Sequence, residues 1–299
     1  VLLGHGSRMV SLIAGAHSDE PVGPETLRWF VLEGIRQREK LAQLFESFTF
    51  LVVPHINPDG EVKNQSWIQQ WPEATAYLQH AYRELPGRDL EFGFPRMRQE
   101  NVLVADFLKE HAPFTLHLSL HGMGFAEGAM LLIERHWIDR TQKLRTRFAE
   151  QVRESGLALH DHDRKGDKGF CYIGPGFTTT PEGLAMRAYF KSTGDVNTAK
   201  LFHDSSMEFV RKLGGDPLCL VPELPLFIVG KAMEKPTPGV PSAYLAFKEK
   251  IPQLKIRLVQ GLSVEEEIEA FKIKPLALKL LVQLQLLTIQ LGLQAVSGN

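Results

Sequence analysis

The chain has 299 residues, enough for one large domain or two modest ones at roughly 100–200 residues each. With 43% hydrophobic and 23% charged residues, the composition excludes a disordered, collagen-like or membrane-embedded chain. Lys and Arg number 34 against 35 Asp and Glu, a net charge of -1, so no electrostatic pull toward nucleic acid or an anionic membrane is expected. Cys171 and Cys219 are too few for a disulfide framework or a cysteine-rich zinc ribbon, and they point to a reducing, cytoplasmic compartment.

The pattern along the chain predicts strands alternating with helices. Val10 to Gly15 is a short apolar run closed by glycine, followed by a helical pattern from Glu25 to about Lys40. Phe48 to Pro54 reads as a second strand, stopped by the turn Asn57-Pro58-Asp59-Gly60. A helix around Glu100 to His111 leads to a third strand at Phe114 to Leu120, and a fourth follows at Ala129 to Glu134. Asp139 to Ser155 is helical, His160 to Phe177 reads as a long loop, and Leu218 to Val221 as another buried strand. Such alternation predicts an α/β fold with a largely parallel sheet covered on both faces.

After Val229, the cluster Pro236, Pro238, Gly239 and Pro241 reads as a linker, dividing a main domain (1–229) from a helical C-terminal extension (230–299). Ser263-Val264-Glu265-Glu266 carries a capping-box signature, Pro275 interrupts the helix it opens, and Leu276 to Leu293 has leucines at helical spacing. The stripe Leu276, Leu280, Leu284, Leu287 and Leu291 suits packing against the main domain, or alternatively a seam between two copies in a homo-oligomer. No transmembrane segment is expected, because Lys279, several glutamines and Gly292 break the longest apolar run. The start at Val1 shows no leader pattern, from which a leader is expected to be absent or removed.

Four places carry candidate chemistry. His17 and Glu20 follow the first strand three positions apart, and can turn toward one point as metal ligands or simply form a polar turn. A catalytic zinc ordinarily takes a third protein ligand. His117 and His121 lie four apart on one strand, hence on one face. His121, beside Gly122 at the expected carboxyl end of the strand, is the better candidate, and His117 reads as a hydrogen-bonded core histidine. Glu223, flanked by Pro222 and Pro225 after an apolar strand, is either a carboxylate paired with an arginine or a general base whose pKa a dry pocket raises. The run His160-Asp161-His162-Asp163 reads mostly as solvent-facing loop rather than as a second metal site.

Taken in order, the His-x-x-Glu pair, the Asn-Pro-Asp-Gly turn, the strand-borne His121-Gly122 and the late Glu223 resemble the zinc carboxypeptidase superfamily, which includes an aspartoacylase and succinylglutamate desuccinylase branch. The resemblance runs from about Ser11 to Leu226. It implies a mixed eight-stranded sheet with helices on both faces, one zinc ion held by His17, Glu20 and His121, and Glu223 as general base. It also implies an arginine that stabilises the oxyanion, with Arg83 the nearest candidate and Arg88 the second. The implied reaction is hydrolysis of an amide bond in a peptide or a small acyl-amino substrate. The alternatives are an N-deacylase of the aspartoacylase type, or a non-catalytic binding protein on a degenerate peptidase fold.

Two departures stand out. Where the family carries an Asn-Arg pair that grips the substrate carboxylate, this chain has Glu91 and Phe92 in Gly87-Arg88-Asp89-Leu90-Glu91-Phe92. A substrate-facing Glu91 would repel a carboxylate and favour a cation, unless Arg88 or Arg98 neutralises it. The family's tyrosine on a loop before the base is also missing, since no tyrosine lies between Phe190 and Glu223.

Overall fold

The structure, a computed structural model, describes residues 1–230 and 237–298. Pro236 of the expected linker lies outside the described residues. A nine-stranded mixed sheet forms the centre, built from β1 (Leu2–Gly4), β2 (Arg8–Ala14), β3 (Phe48–Val53), β4 (Leu116–Ala126), β5 (Met130–Ile133), β6 (Tyr172–Gly174), β7 (Phe177–Thr179), β8 (Leu218–Ile228) and the two-residue β9 (Lys274–Pro275). The strand order is β1-β3-β2-β4-β8-β5-β7-β6, with β9 on β8.

The parallel character expected from the sequence holds in the middle, where β3, β2, β4 and β8 run side by side in one direction. These strands are buried on both faces, which is why they read as near-continuous apolar runs. At β5 the direction reverses, and it pairs antiparallel with β8. The cause is connection length: only Glu127 to Ala129 separate β4 from β5, whereas a parallel crossover needs about a dozen residues. The segment read as loop from His160 to Phe177 contains β6 and the start of β7, strands of three residues each, too short to show a period.

Two strands are longer than expected, and their extra length shapes a crevice in the sheet. Strand β4 continues past His121 to Ala126, and β8 runs through Pro222 and Pro225 to Ile228. The ladder between them pairs Leu118 with Leu220, lapses at Val221 and Pro222, and resumes with His121 opposite Glu223. Proline has no N–H to give to a ladder, so the lapse falls where Pro222 stands while the strand itself carries on. Strand β2 stops at Ala14, opposite Leu120, so the crevice opens where β2 ends and β4 and β8 continue.

The C-terminal helices are built into the same core as the sheet. Phe247 and Phe271, each fully buried, join a cluster of aromatic rings with Phe125, Phe227 and Tyr77. The helix Leu278–Ser297 has the length and apolarity to cross a membrane, yet its inner face, with Leu281, Leu284, Ile289 and Leu291, is buried in this core. Leu276, Leu280 and Leu287 of the leucine stripe pack against it as well, so the stripe serves intramolecular packing. Gly292 lets the helix approach closely, since a Cβ there would stand 3.1 Å from Leu116 and 3.2 Å from Leu220.

Two buried histidines make the fold acid-sensitive. His117 accepts or donates to Ser11 Oγ at 2.6 Å and Ser206 Oγ at 3.2 Å, and burial lowers its pKa to about 4. His160, expected in a solvent-facing loop, is instead 2% exposed against Tyr244, and burial, reinforced by His162 and Arg164, lowers its pKa to about 3. Both folded-state values lie below the unfolded value of roughly 6.5, so the stability they preserve is complete above that pH. It is lost as pH falls below 6.5, where the unfolded chain takes up protons that the folded chain refuses. Thermal melts of the metal-free protein between pH 7 and pH 4.5 should show stability falling by about 1.4 kcal/mol per pH unit for each histidine, and His160→Phe should flatten the slope.

Candidate metal centre

His17 and Glu20 sit on the turn that follows β2. Gly15 makes the turn with φ +75°, and a Cβ there would collide with the His55 ring at 2.5 Å. The Asn57-Pro58-Asp59-Gly60 segment is architectural, as the sequence suggested: Asn57 Oδ1 accepts from Gly60 N at 3.1 Å and caps the helix Pro58–Ile68. Gly60 lets that helix lie against the turn, because a Cβ would stand 2.5 Å from Ser18 Cβ.

From the other side, β4 directs His117, Ser119 and His121 to one face, as the period of two requires. His121 Nδ1 lies 2.9 Å from His17 Nδ1 and 2.9 Å from Glu20 Oε2, and His17 Nδ1 lies 3.0 Å from Glu20 Oε1. Donor atoms of the three residues all fall within 4.8 Å of one another, a grouping found nowhere else among the described residues. His117 stays four residues back in the core.

Two imidazoles and a carboxylate are the donor chemistry of a catalytic zinc site with an open position. The tautomer agrees: His121 Nε2 faces Glu91 Oε2 at 3.1 Å, and donating its proton there leaves the Nδ1 lone pair for a metal. Burial raises the pKa of Glu20, but His17, Arg83 and His121 outweigh it and hold Glu20 well below the carboxylate range. Burial works against protonation of His121, yet Glu20 and Glu91 on either side raise its pKa well above the usual imidazole range. In the metal-free chain His121 therefore holds a proton that an arriving cation must displace.

Glu91 corrects the sequence reading. It is 3% exposed and does not wait for a substrate cation. Its Oε1 accepts from Ser206 N at 3.0 Å and Ser206 Oγ at 2.7 Å, and its Oε2 from Ser119 Oγ at 3.0 Å and from His121. Burial pushes its pKa up, but His121 and Ser206 overcome this and bring it to about 2. Neither Arg88 nor Arg98 is its partner: Arg88 is exposed, and Arg98 pairs with Glu100 and Glu84. The residue that departs from the family's substrate grip orients a candidate metal ligand instead. Glu91→Gln keeps the shape but removes the charge, and zinc affinity measured by chelator competition should fall about 10- to 100-fold with the fold retained.

Ser119 and Ser206 were missed in the sequence. Ser119 had a signal, lying at the midpoint of His117-Leu118-Ser119-Leu120-His121 on the face of both histidines. Ser206 had one as well, because Ser205 and Glu208 form a reciprocal capping box that opens the helix Ser206–Lys212 and aims its first N–H at Glu91. At Ser263, where such a box was expected, the serine accepts from Glu265 N at 3.2 Å and no box closes.

Arg83 Nη1 lies 2.9 Å from Glu20 Oε1 and 3.4 Å from Asp19 Oδ1, with its side chain half-exposed at the mouth of the site. Arg88 is not brought there. Phe92 is buried and lines the crevice, its ring 5.4 Å from that of Phe202. Glu223, beside His121 on β8, has a buried Oε2 without a hydrogen-bond partner among the described residues. Burial, then the charge of Glu20, pushes its pKa up to about 8. Behind the site, Gln285 of the C-terminal helix donates to the carbonyl of His121 at 2.9 Å, tying that helix to the candidate ligand.

Two cavities meet at Glu223. One, about 380 Å³, is lined by His17, His121, Phe92, Arg164, Lys168 and Phe190 among others. The second, about 570 Å³, extends past Glu20 toward Tyr77, Tyr244, Lys248 and Lys255. Arg83, Arg164, Phe170 and Glu223 belong to both.

The sequence profile of the zinc carboxypeptidase family matches residues 3–127, a span that holds His17, Glu20, the Asn57 turn and His121. The N-terminal portion of the chain thus carries that family's pattern, zinc is the metal of that family, and the His17, Glu20 and His121 set can hold one ion. No curated protein matches the chain. Among solved structures, a metallo-carboxypeptidase from Burkholderia cenocepacia is similar at 18% identity, covering 75% of this chain and 51% of its own, with a TM-score of 0.40. A Pseudomonas aeruginosa metallo-carboxypeptidase, solved with (2-guanidinoethylmercapto)succinic acid, is similar at 18% identity, 86% and 60% coverage and a TM-score of 0.41. Carboxypeptidase A from Helicoverpa armigera gives 10% identity, 97% and 61% coverage and a TM-score of 0.46. The chain spans about half to three-fifths of the length of these proteins.

Proposed function

We propose that the chain is a zinc-dependent hydrolase of amide bonds, with His17, Glu20 and His121 as metal ligands and Glu223 as general base. The observation that carries this reading is the position of Glu223: register-paired with His121, unpartnered at Oε2 among the described residues, and standing where two cavities meet. When bound, zinc supplies Lewis acidity that favours ionisation of water and polarises the scissile carbonyl. The Glu223 carboxylate takes the proton from the attacking water and passes it to the departing amine nitrogen. Its dry surroundings raise its proton affinity toward neutral pH, which suits both halves of that transfer. Arg83, at the mouth beside Glu20, is the fixed cation available to the carbonyl oxygen as negative charge develops.

Cavities on both sides of Glu223 favour a substrate extending in both directions from the scissile bond, hence a peptide or acyl-peptide. A small acyl-amino acid would fill only one of them. Amine release from short acylated peptides, followed for the zinc-loaded and chelator-stripped protein, tests the proposal. Turnover restored by zinc supports it. A panel of acylated peptides and acyl-amino acids left intact by the zinc-loaded protein would leave the fold without the proposed activity.

A further inference from the structure

Arg83 is the cation available to the carbonyl oxygen in the proposed reaction, yet it stands on irregular backbone after the helix Ala74–His80. The backbone around it is clamped to the turn that carries the first two candidate ligands and to the helix beside that turn. Ser18 Oγ stands 2.8 Å from the Tyr82 carbonyl and 2.8 Å from Glu84 Oε2. Asn64 Nδ2 donates to the Tyr82 carbonyl at 2.9 Å, Asn64 Oδ1 accepts from Tyr82 N at 2.9 Å, and Asn57 Nδ2 donates to Glu84 Oε1 at 2.7 Å. These bonds fix where the Arg83 side chain starts. Where it ends is decided by charge.

Two carboxylates face its Nη1, Glu20 Oε1 at 2.9 Å and Asp19 Oδ1 at 3.4 Å. They are not equivalent. Glu20 belongs to the candidate ligand set, and a carboxylate that shares its charge with a metal ion attracts a guanidinium less. Asp19 stands outside that set and is buried, so its charge stays available to Arg83. Its Oδ2 accepts from Tyr77 Oη at 3.0 Å, while Oδ1, on the Arg83 side, has no hydrogen-bond partner among the described residues. The anchor is rigid, because the Tyr77 ring packs on Trp67 at 4.8 Å, Phe125 at 5.5 Å and Phe227 at 5.8 Å. Gly124 leaves room for the hydroxyl, with which a Cβ at that position would collide. Burial, then the charge of Asp19, raises the pKa of Tyr77 well above the phenol range, so the hydroxyl remains a donor. A buried carboxylate is tolerated only when paired, and here one oxygen is anchored while the other faces the cation.

We infer that Asp19, anchored by Tyr77, is the positioning residue that keeps the Arg83 guanidinium at the mouth of the crevice when Glu20 is committed to the metal. The inference rests on the proposed hydrolase reading and deepens it. Asp19 acts through Arg83 alone: it restrains a half-exposed side chain that would otherwise sample many solvent-directed rotamers. The residue between the two ligands of the His17-Ser18-Asp19-Glu20 turn thereby gains a part in the reaction.

The reactivity of Arg83 is the direct test, because it needs no turnover. Zinc-loaded protein is treated with phenylglyoxal, which modifies accessible guanidinium groups, and the modified fraction of Arg83 is followed by peptide mass spectrometry. Asp19→Asn should raise the Arg83 rate about three- to tenfold, between the value of an exposed ion pair and that of a charged hydrogen bond. Zinc content and the rate at the exposed reference Arg36 should not change. Tyr77→Phe keeps the ring and removes only the anchoring hydroxyl, so it should raise the Arg83 rate by a smaller factor, and it carries the test if Asp19→Asn folds poorly. In turnover, Asp19→Asn should lower kcat about tenfold with KM within about threefold, a part of the 10²- to 10³-fold lost with an oxyanion donor. In an Arg83→Met background the same change should add nothing, since a residue that works through Arg83 then has nothing to act on. An unchanged Arg83 rate in both variants, additive losses in the double variant, or zinc lost from Asp19→Asn at an unchanged Arg83 rate overturns the inference. A raised Arg83 rate in Asp19→Asn, in a chain whose unaltered form hydrolyses no amide substrate, would instead refute the hydrolase reading and leave the tether standing.

Discussion

Replacing Glu223 with glutamine should lower turnover of an amide substrate by about 10²- to 10⁴-fold, the usual cost of removing a general base, while zinc content stays at one ion per chain. The amide is nearly isosteric with the carboxylate and remains polar, so the crevice keeps its shape, but it has no basic oxygen to accept a proton from water. Glu223 suits this test well, because its Oε2 has no partner among the described residues whose loss would confuse the result. Measuring kcat together with metal content separates the chemical step from metal loss. Hydrolysis at the unaltered rate would assign the base to another group.

His121→Ala should have the largest effect on the metal itself. It removes one of three candidate ligands and also strips Glu91 of the group it orients. Zinc affinity should fall by more than the 10- to 100-fold expected when only an outer partner such as Glu91 is altered. His117→Ala is the matched control: it deletes a histidine from the same face of β4, four residues deeper, where Ser11 and Ser206 are its partners. That variant should lose stability through an emptied buried site but keep its zinc. The opposite pattern, with zinc lost in His117→Ala and kept in His121→Ala, would reverse the assignment. A related consequence is pH-dependent: since Glu20 and Glu91 raise the proton affinity of His121, zinc binding should release a proton, and affinity should fall about tenfold for each pH unit of acidification below neutrality.

The candidate ligands were legible in the sequence because each sits at a punctuation mark in the chain. His17 and Glu20 follow a glycine that ends a strand, and His121 precedes one. Glu223 stood out as a carboxylate in an apolar run. What could not be read was where each strand stops. Pro222 and Pro225 argue locally for an end to β8, yet the strand crosses them because β4 and β5 hold it on either side, with the β4 ladder lapsing at Val221 and Pro222 and pairing again from Glu223. Strand β5 reverses direction because of a three-residue connection, a matter of loop length that apolar patterning does not report.

Glu91 shows the limit most clearly. Matched to a family pattern it reads as a substrate-facing charge, and on pattern alone that reading is sound. Its actual partners, Ser119, Ser206 and His121, come from β4 and from a helix more than a hundred residues downstream. Burying a carboxylate there is tolerable only because all of them converge, and convergence over such separations is a property of the fold.

All of the proposed chemistry depends on one zinc ion bound between His17, Glu20 and His121. Crystals of the zinc-loaded protein, measured on both sides of the zinc absorption edge, reveal the ion as an anomalous difference peak. One peak per chain is expected, at about 2.0–2.1 Å from His17 Nδ1 and His121 Nδ1 and about 2.0–2.2 Å from a Glu20 oxygen. A peak bonded to His117 or to the His160 and His162 segment, or no peak at this site in protein that carries stoichiometric zinc, would contradict the assignment.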